Sequence, residues 1–140
     1  MRQLISGLFG VLLIFAAAPF AAAADDAAPA IRSVIERQLQ AFQEDDGSAA
    51  FSYASPMIQR QFGNAETFMA MVQRGYPSVY RPQTVEFRGL EFNGGFAVQE
   101  VFFVGPDGSA QLALYFMALQ EDGSWKINGV RMTDAPDAII

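Results

Sequence analysis

The sequence has no cysteine and no histidine, and of its nine basic side chains only Lys126 is a lysine. Each absence removes a class of chemistry. Without a thiol there is no disulfide, no lipid-modified cysteine and no thiolate nucleophile. Without imidazole there is no Ser-His-Asp or Cys-His device, no zinc site of the usual ligands and no proton shuttle near neutral pH. With 15 acidic against nine basic side chains the formal net charge is −6, the opposite of the basic footprint that nucleic acids and anionic lipid surfaces require. Neither partner is expected. The acidic run Glu44, Asp45, Asp46 lacks the alternating oxygen ligands, glycine turn and closing Glu of a calcium loop, and reads as a solvated helix end. No metal and no cofactor are expected, which leaves carboxylates, tyrosines, Lys126 and hydroxyls for acid–base work.

Long apolar runs are scarce too. One extends from Leu4 to Ala18, and Pro19 interrupts it short of the roughly 20 residues that cross a bilayer. Arg2 precedes it, and Ala22, Ala23 and Ala24 follow, ahead of Asp25 and Asp26. That is the organisation of an export signal with small residues at its cleavage site. Residues 1–24 are therefore expected to be a signal peptide and residues 25–140 one mature domain, periplasmic or secreted, with no stable membrane anchor after cleavage. Arg2 is the one charge lost with the leader, so the mature chain remains acidic. An exported domain without disulfides must be held by its core, and ten of the 13 Phe lie in residues 25–140 to supply the material.

In the first half of the mature chain the apolar period is helical. Ile31, Val34, Ile35, Gln38, Leu39 and Phe42 share one face, with Pro29 placed to start the helix and Gly47 to follow its end. Ala49, Ala50, Phe51 and Ala54 make a short turn, then Ser55 and Pro56 cap a helix over 57–62 that Gly63 stops. Asn64 caps a further helix with Phe68, Met71 and Val72 as its stripe. After Pro82 the period becomes two, with turns at Asn93-Gly94-Gly95, Pro106-Asp107-Gly108 and Asp122-Gly123. Four antiparallel strands are predicted over 83–92, 96–104, 110–119 and 124–133. The first and last change phase across Gly89 and Gly129, which reads as two bulges bending the sheet.

The fold class expected is α+β: a cone-shaped roll of three N-terminal helices packed on a curved four-stranded antiparallel sheet. That layout resembles the nuclear-transport-factor-2-like superfamily, also called SnoaL-like or cystatin-like, and D-G-S-W-K-I-N-G-V at 122–130 resembles its last hairpin and strand. A narrower resemblance, carried by Q-L-Q-A-F at 38–42, D-D-G-S-A-A-F-S-Y-A-S-P-M-I-Q-R-Q-F-G at 45–63, F-M-A-M-V at 68–72 and Y-P-S-V-Y-R-P at 76–82, is to an exported proteobacterial family of unknown function. It implies the fold and no activity.

Candidate site residues come from anomalies. Glu100 interrupts the apolar row Phe96, Val98, Phe102, Val104; facing the cone it would be a desolvated acid, and facing outward it would stand beside Arg88 or Arg131. Tyr53, Tyr76, Tyr80 and Tyr115 each combine an apolar ring with a hydroxyl. Arg81 would either clamp an anion or pair with an acid where helices meet sheet. Glu100, Tyr53, Tyr80, Arg81 and Tyr115 form the candidate ligand-binding set, with no residue assigned to catalysis. Both faces of the third strand are apolar, so Tyr115 and Met117 are expected on an outer face covered by a second copy in a homodimer, an arrangement common among the proteins it resembles. Three functions follow: a non-catalytic binding or accessory module with a pocket for a small apolar ligand or protein partner; a cofactor-independent isomerase or lyase using Glu100 and a Tyr; or a structural protein with a filled cone.

Overall fold

Ile31, Ile35, Leu39 and Phe42 recur at the helical period, and all four are buried on one face of α1 (Phe20–Gln43). The computed structural model describes the backbone of residues 20–134 and the side chains of residues 26–134, so the leader up to residue 19, with Leu12 and Phe15, lies outside the described residues. The helix begins upstream of its expected start, and Pro29 sits inside it. The run Ala21, Ala22, Ala23, Ala24 has the highest helix propensity there is, which carries the helix past the proline.

Among the described residues, five helices replace the expected three. Asp46 accepts from the Ala49 amide and starts α2 (Gly47–Ser52). Ser55 accepts from the Ile58 amide at 3.3 Å and Pro56 opens α3 (Pro56–Phe62), which ends on Gly63 at φ 81°. Asn64 accepts from the Thr67 amide at 2.8 Å to start α4 (Ala65–Gly75), whose buried face is Phe68, Met69 and Val72. Pro77 then opens the single turn α5 (Pro77–Tyr80).

The strands are β1 (Thr84–Asn93), β2 (Phe96–Val104), β3 (Ala110–Leu119) and β4 (Trp125–Asp134), joined in the order β1-β2-β3-β4 with every pair antiparallel. The ladder slips between Phe87 and Leu90, across Gly89, and again where Phe116 faces Gly129 and Met117 faces Ile127, which leaves Asn128 as the extra residue of β4. Gln99 mends the first bulge, its Nε2 donating to the carbonyls of Arg88 and Gly89. The architecture is the expected α+β arrangement, helices on one face of an open antiparallel sheet.

On β2 the structure decides between two open alternatives, and on β3 the row that meets the helices differs from expectation. On β2 the buried row is Ala97, Gln99, Val101 and Phe103, so Glu100 stands on the outer face with Phe96, Val98 and Phe102. On β3 it is Ala113, Tyr115 and Met117, each fully buried, while Leu112, Leu114 and Phe116 face outward. Tyr115 and Met117 are therefore core residues and not an outer surface. Both rows of each strand are apolar, so only the opposing layer decides, and the rows that meet Ile31, Ile35 and Phe42 form one core with them.

Candidate functional site

The bulge at Asn128 and the link between α2 and α3 define an opening at the β4 edge. Ile127 is tied on both sides of its peptide: its amide donates to the Tyr53 carbonyl at 2.9 Å, and its carbonyl accepts from the Ser55 amide at 2.8 Å. This parallel bridge ties the start of α3 to β4. Between them lies a cavity of about 350 Å³. Its walls are Gln38 and Phe42 of α1, Met57, Ile58, Gln61 and Phe62 of α3, and Phe68, Met71 and Val72 of α4. Ala54, Tyr76 and Val79 complete them with Ile127, Asn128, Gly129 and Val130 of β4. Phe42, Phe68 and Val72 are buried, whereas Met57 and Gln61 are exposed and sit at the mouth.

The polar groups on this wall are neutral. Gln38 is only 3% exposed; its Nε2 donates to the Ala50 carbonyl at 3.1 Å. Ser55 Oγ, already capping α3, gives its proton to Asn128 Oδ1 at 2.8 Å. Tyr76 Oη donates to the Val130 carbonyl at 3.3 Å. Among the described residues, no Asp, Glu, Lys or Arg lines the cavity, and no group of three acidic side chains could hold a metal ion.

None of the five candidate residues lies on this wall. Glu100 is half-buried on the far side of the sheet, its carboxylate against Gly89, where an added Cβ would lie 3.1 Å from Oε2. Tyr53 contributes its backbone to the Ile127 bridge. Tyr80 donates to Asp45, and Arg81 pairs with the same carboxylate at 3.0 Å with its guanidinium over the Tyr80 ring at 4.0 Å. Those two donors, the phenol first, hold the Asp45 carboxyl below its ordinary range. The trio fastens the end of α1 to α5. Tyr115 is fully buried, and its Oη has no partner among the described residues; burial alone pushes the phenol well above its ordinary value.

Of the four tyrosines considered, Tyr76 is the one that reaches the cavity. Gln38 and Asn128 were passed over, although Gln38 carried a signal: it is the one amide in an apolar helical row. Asn128 carried none, because its place on the wall depends on the bulge.

A solved structure of an NTF-2 like protein of unknown function from Burkholderia xenovorans LB400 is similar to the chain at 17% identity, covering 79% of this chain and 88% of that one with a TM-score of 0.49. No curated protein matches. The chain belongs to the family described as Domain of unknown function (DUF4864), whose model matches residues 24–140.

Proposed function

We propose that the protein is an exported, non-catalytic binding module that holds a small apolar ligand between α3, α4 and the β4 edge. The observation that carries this reading is the cavity of about 350 Å³, walled chiefly by Phe, Met, Ile and Val and open at Met57 and Gln61. That size and lining match small-molecule sites, which are apolar with a few placed polar groups. An isomerase built on Glu100 is disfavoured, since a sheet separates that carboxylate from the cavity. A structural protein with a filled cone is disfavoured by the volume itself.

Export is supported by the leader and by the family match, which begins at residue 24. The proline supports it as well. In a helix starting at Phe20, Pro29 falls in the interior, where it removes a hydrogen bond and crowds the carbonyl four residues back. Cleavage after Ala24 would start the helix near Asp26 and put Pro29 in its first turn, where amides have no helical partner. The domain is proposed to form a homodimer through its outer face, which carries Phe96, 60% exposed, with Val98 and Phe102 on β2 and Leu112, Leu114 and Phe116 on β3.

Native mass spectrometry of protein recovered from the periplasm tests the reading. The expected spectrum shows a mature chain starting near Asp25 with a bound small molecule, and Ile58→Trp, which fills the cavity, loses that adduct. A chain that retains residues 1–24 would overturn export. A ligand-free wild type that also fails to bind a neutral apolar dye would overturn the binding function.

A further inference from the structure

Besides Gln61 at its mouth, the cavity wall carries two amides, Gln38 and Asn128, and the atom of each that is left without a protein partner follows from the bond its other atom already makes. Gln38 spends Nε2 on the Ala50 carbonyl, which orients the amide and leaves Oε1 as the acceptor. Asn128 spends Oδ1 on the Ser55 hydroxyl, which leaves Nδ2 as the donor. Neither is sealed in protein, because among the described residues the one buried side-chain polar atom without a partner is Tyr115 Oη. Gln38 is almost wholly buried and lines the cavity, and no donor among the described residues is bonded to its Oε1. Apart from the exposed Gln61 and the Tyr76 hydroxyl, which already donates to Val130, the rest of the wall is apolar, and no charged side chain lines it among the described residues.

Resting on the binding function proposed above, we infer that the ligand is an uncharged, mainly hydrocarbon molecule whose single polar head both donates and accepts hydrogen bonds, as a primary or secondary carboxamide does, read by Gln38 Oε1 and Asn128 Nδ2. An ionised head is rejected. A carboxylate placed against Gln38 Oε1 meets a second acceptor and no cation, and burying an unpaired ion costs far more than one hydrogen bond returns. A head with no hydrogen-bonding capacity is disfavoured for the reverse reason, since it strips water from the two amides without replacing it.

Displacement of the neutral dye N-phenyl-1-naphthylamine from the mature protein at neutral pH tests this with three matched competitors: octanamide, octanoate and an alkyl ether of equal length. Octanamide is expected to displace the dye at least tenfold more effectively than either rival. Asn128→Asp, which still accepts from Ser55 but has lost the donor, is expected to lower octanamide affinity about tenfold, the loss of roughly one hydrogen bond. Equal displacement by octanoate would overturn the neutral head, and equal displacement by the ether would overturn the hydrogen-bonding pair. Both are read on the wild type, so neither depends on the variant folding. Failure of the dye to bind at all would instead overturn the cavity as a ligand site, which separates that failure from failure of the specificity.

Discussion

Two side chains decide how the core and its margin are held, and they act in opposite senses. Tyr115 buries a hydroxyl with no partner among the described residues, which costs about 1–3 kcal/mol relative to an apolar ring of the same shape. Tyr115→Phe should therefore raise stability by about 1 kcal/mol in urea titration. A loss of that size would show the hydroxyl bonded in solution, for example to an internal water. Asp45 instead gains partners on folding. Tyr80 and Arg81 depress its folded pKa, so its contribution is present above the ordinary value of 3.8 and vanishes as pH falls through the depressed one. Asp45→Asn keeps the left-handed backbone that residue 45 adopts at φ 54°. It should be less stable than wild type at neutral pH by an amount that shrinks with added salt, because the pair is exposed. The gap should hold down to about pH 5 and close below the ordinary carboxylate range; a gap that persisted in acid would mean the carboxylate is not what fastens α1 to α5.

At the level of elements, what could be read in advance was whatever depends on near neighbours in sequence. Ser55 and Asn64 announced α3 and α4 because a cap bonds an amide three residues on, and the two glycine phase changes announced the bulges. What could not be read was which row of a doubly apolar strand turns inward, since Phe102 and Phe103 are equally apolar and the answer lies in α1, far away in sequence. The cavity shared that fate: its polar groups come from α1 and from a residue extruded by a bulge, and no local pattern joins Gln38 to Asn128. Ser55 does two jobs, capping α3 and fixing Asn128. Ser55→Ala should accordingly cost about 2 kcal/mol, one part cap and one part orphaned Asn128 oxygen, whereas Asn64→Ala, a cap alone, should cost about 1 kcal/mol. Equal losses in matched urea titrations would show that the Ser55–Asn128 bond adds nothing and would remove the reason given for the Asn128 orientation.

For the whole molecule, the remaining question is what covers the outer sheet face, and the strand rows now say which residues to change. Leu112, Leu114 and Phe116 of β3 lie beside Phe102, Glu100 and Val98 of β2, so the outer stripe is apolar except for Glu100 opposite Leu114, and it is bordered by Glu86, Arg88 and Glu91 on β1 and by Arg131 on β4. In the proposed homodimer, rotation of a second copy by a half-turn about an axis parallel to the strands lays its β4 over β1. Two-fold packing of this kind would cover the apolar side chains of the stripe. Phe116→Glu should convert the proposed dimer to a monomer with unchanged circular dichroism, because the charge would enter the interface and leave the core alone. Met117→Glu, one residue on, should instead unfold the domain, because that side chain is fully buried among Ile31, Ile35 and Trp125 in the core cluster. Light scattering on both variants and the wild type separates the outcomes: a wild type that is monomeric at concentrations well above those of the cell would refute the two-fold partner, and a folded Met117→Glu would refute the assignment of the faces.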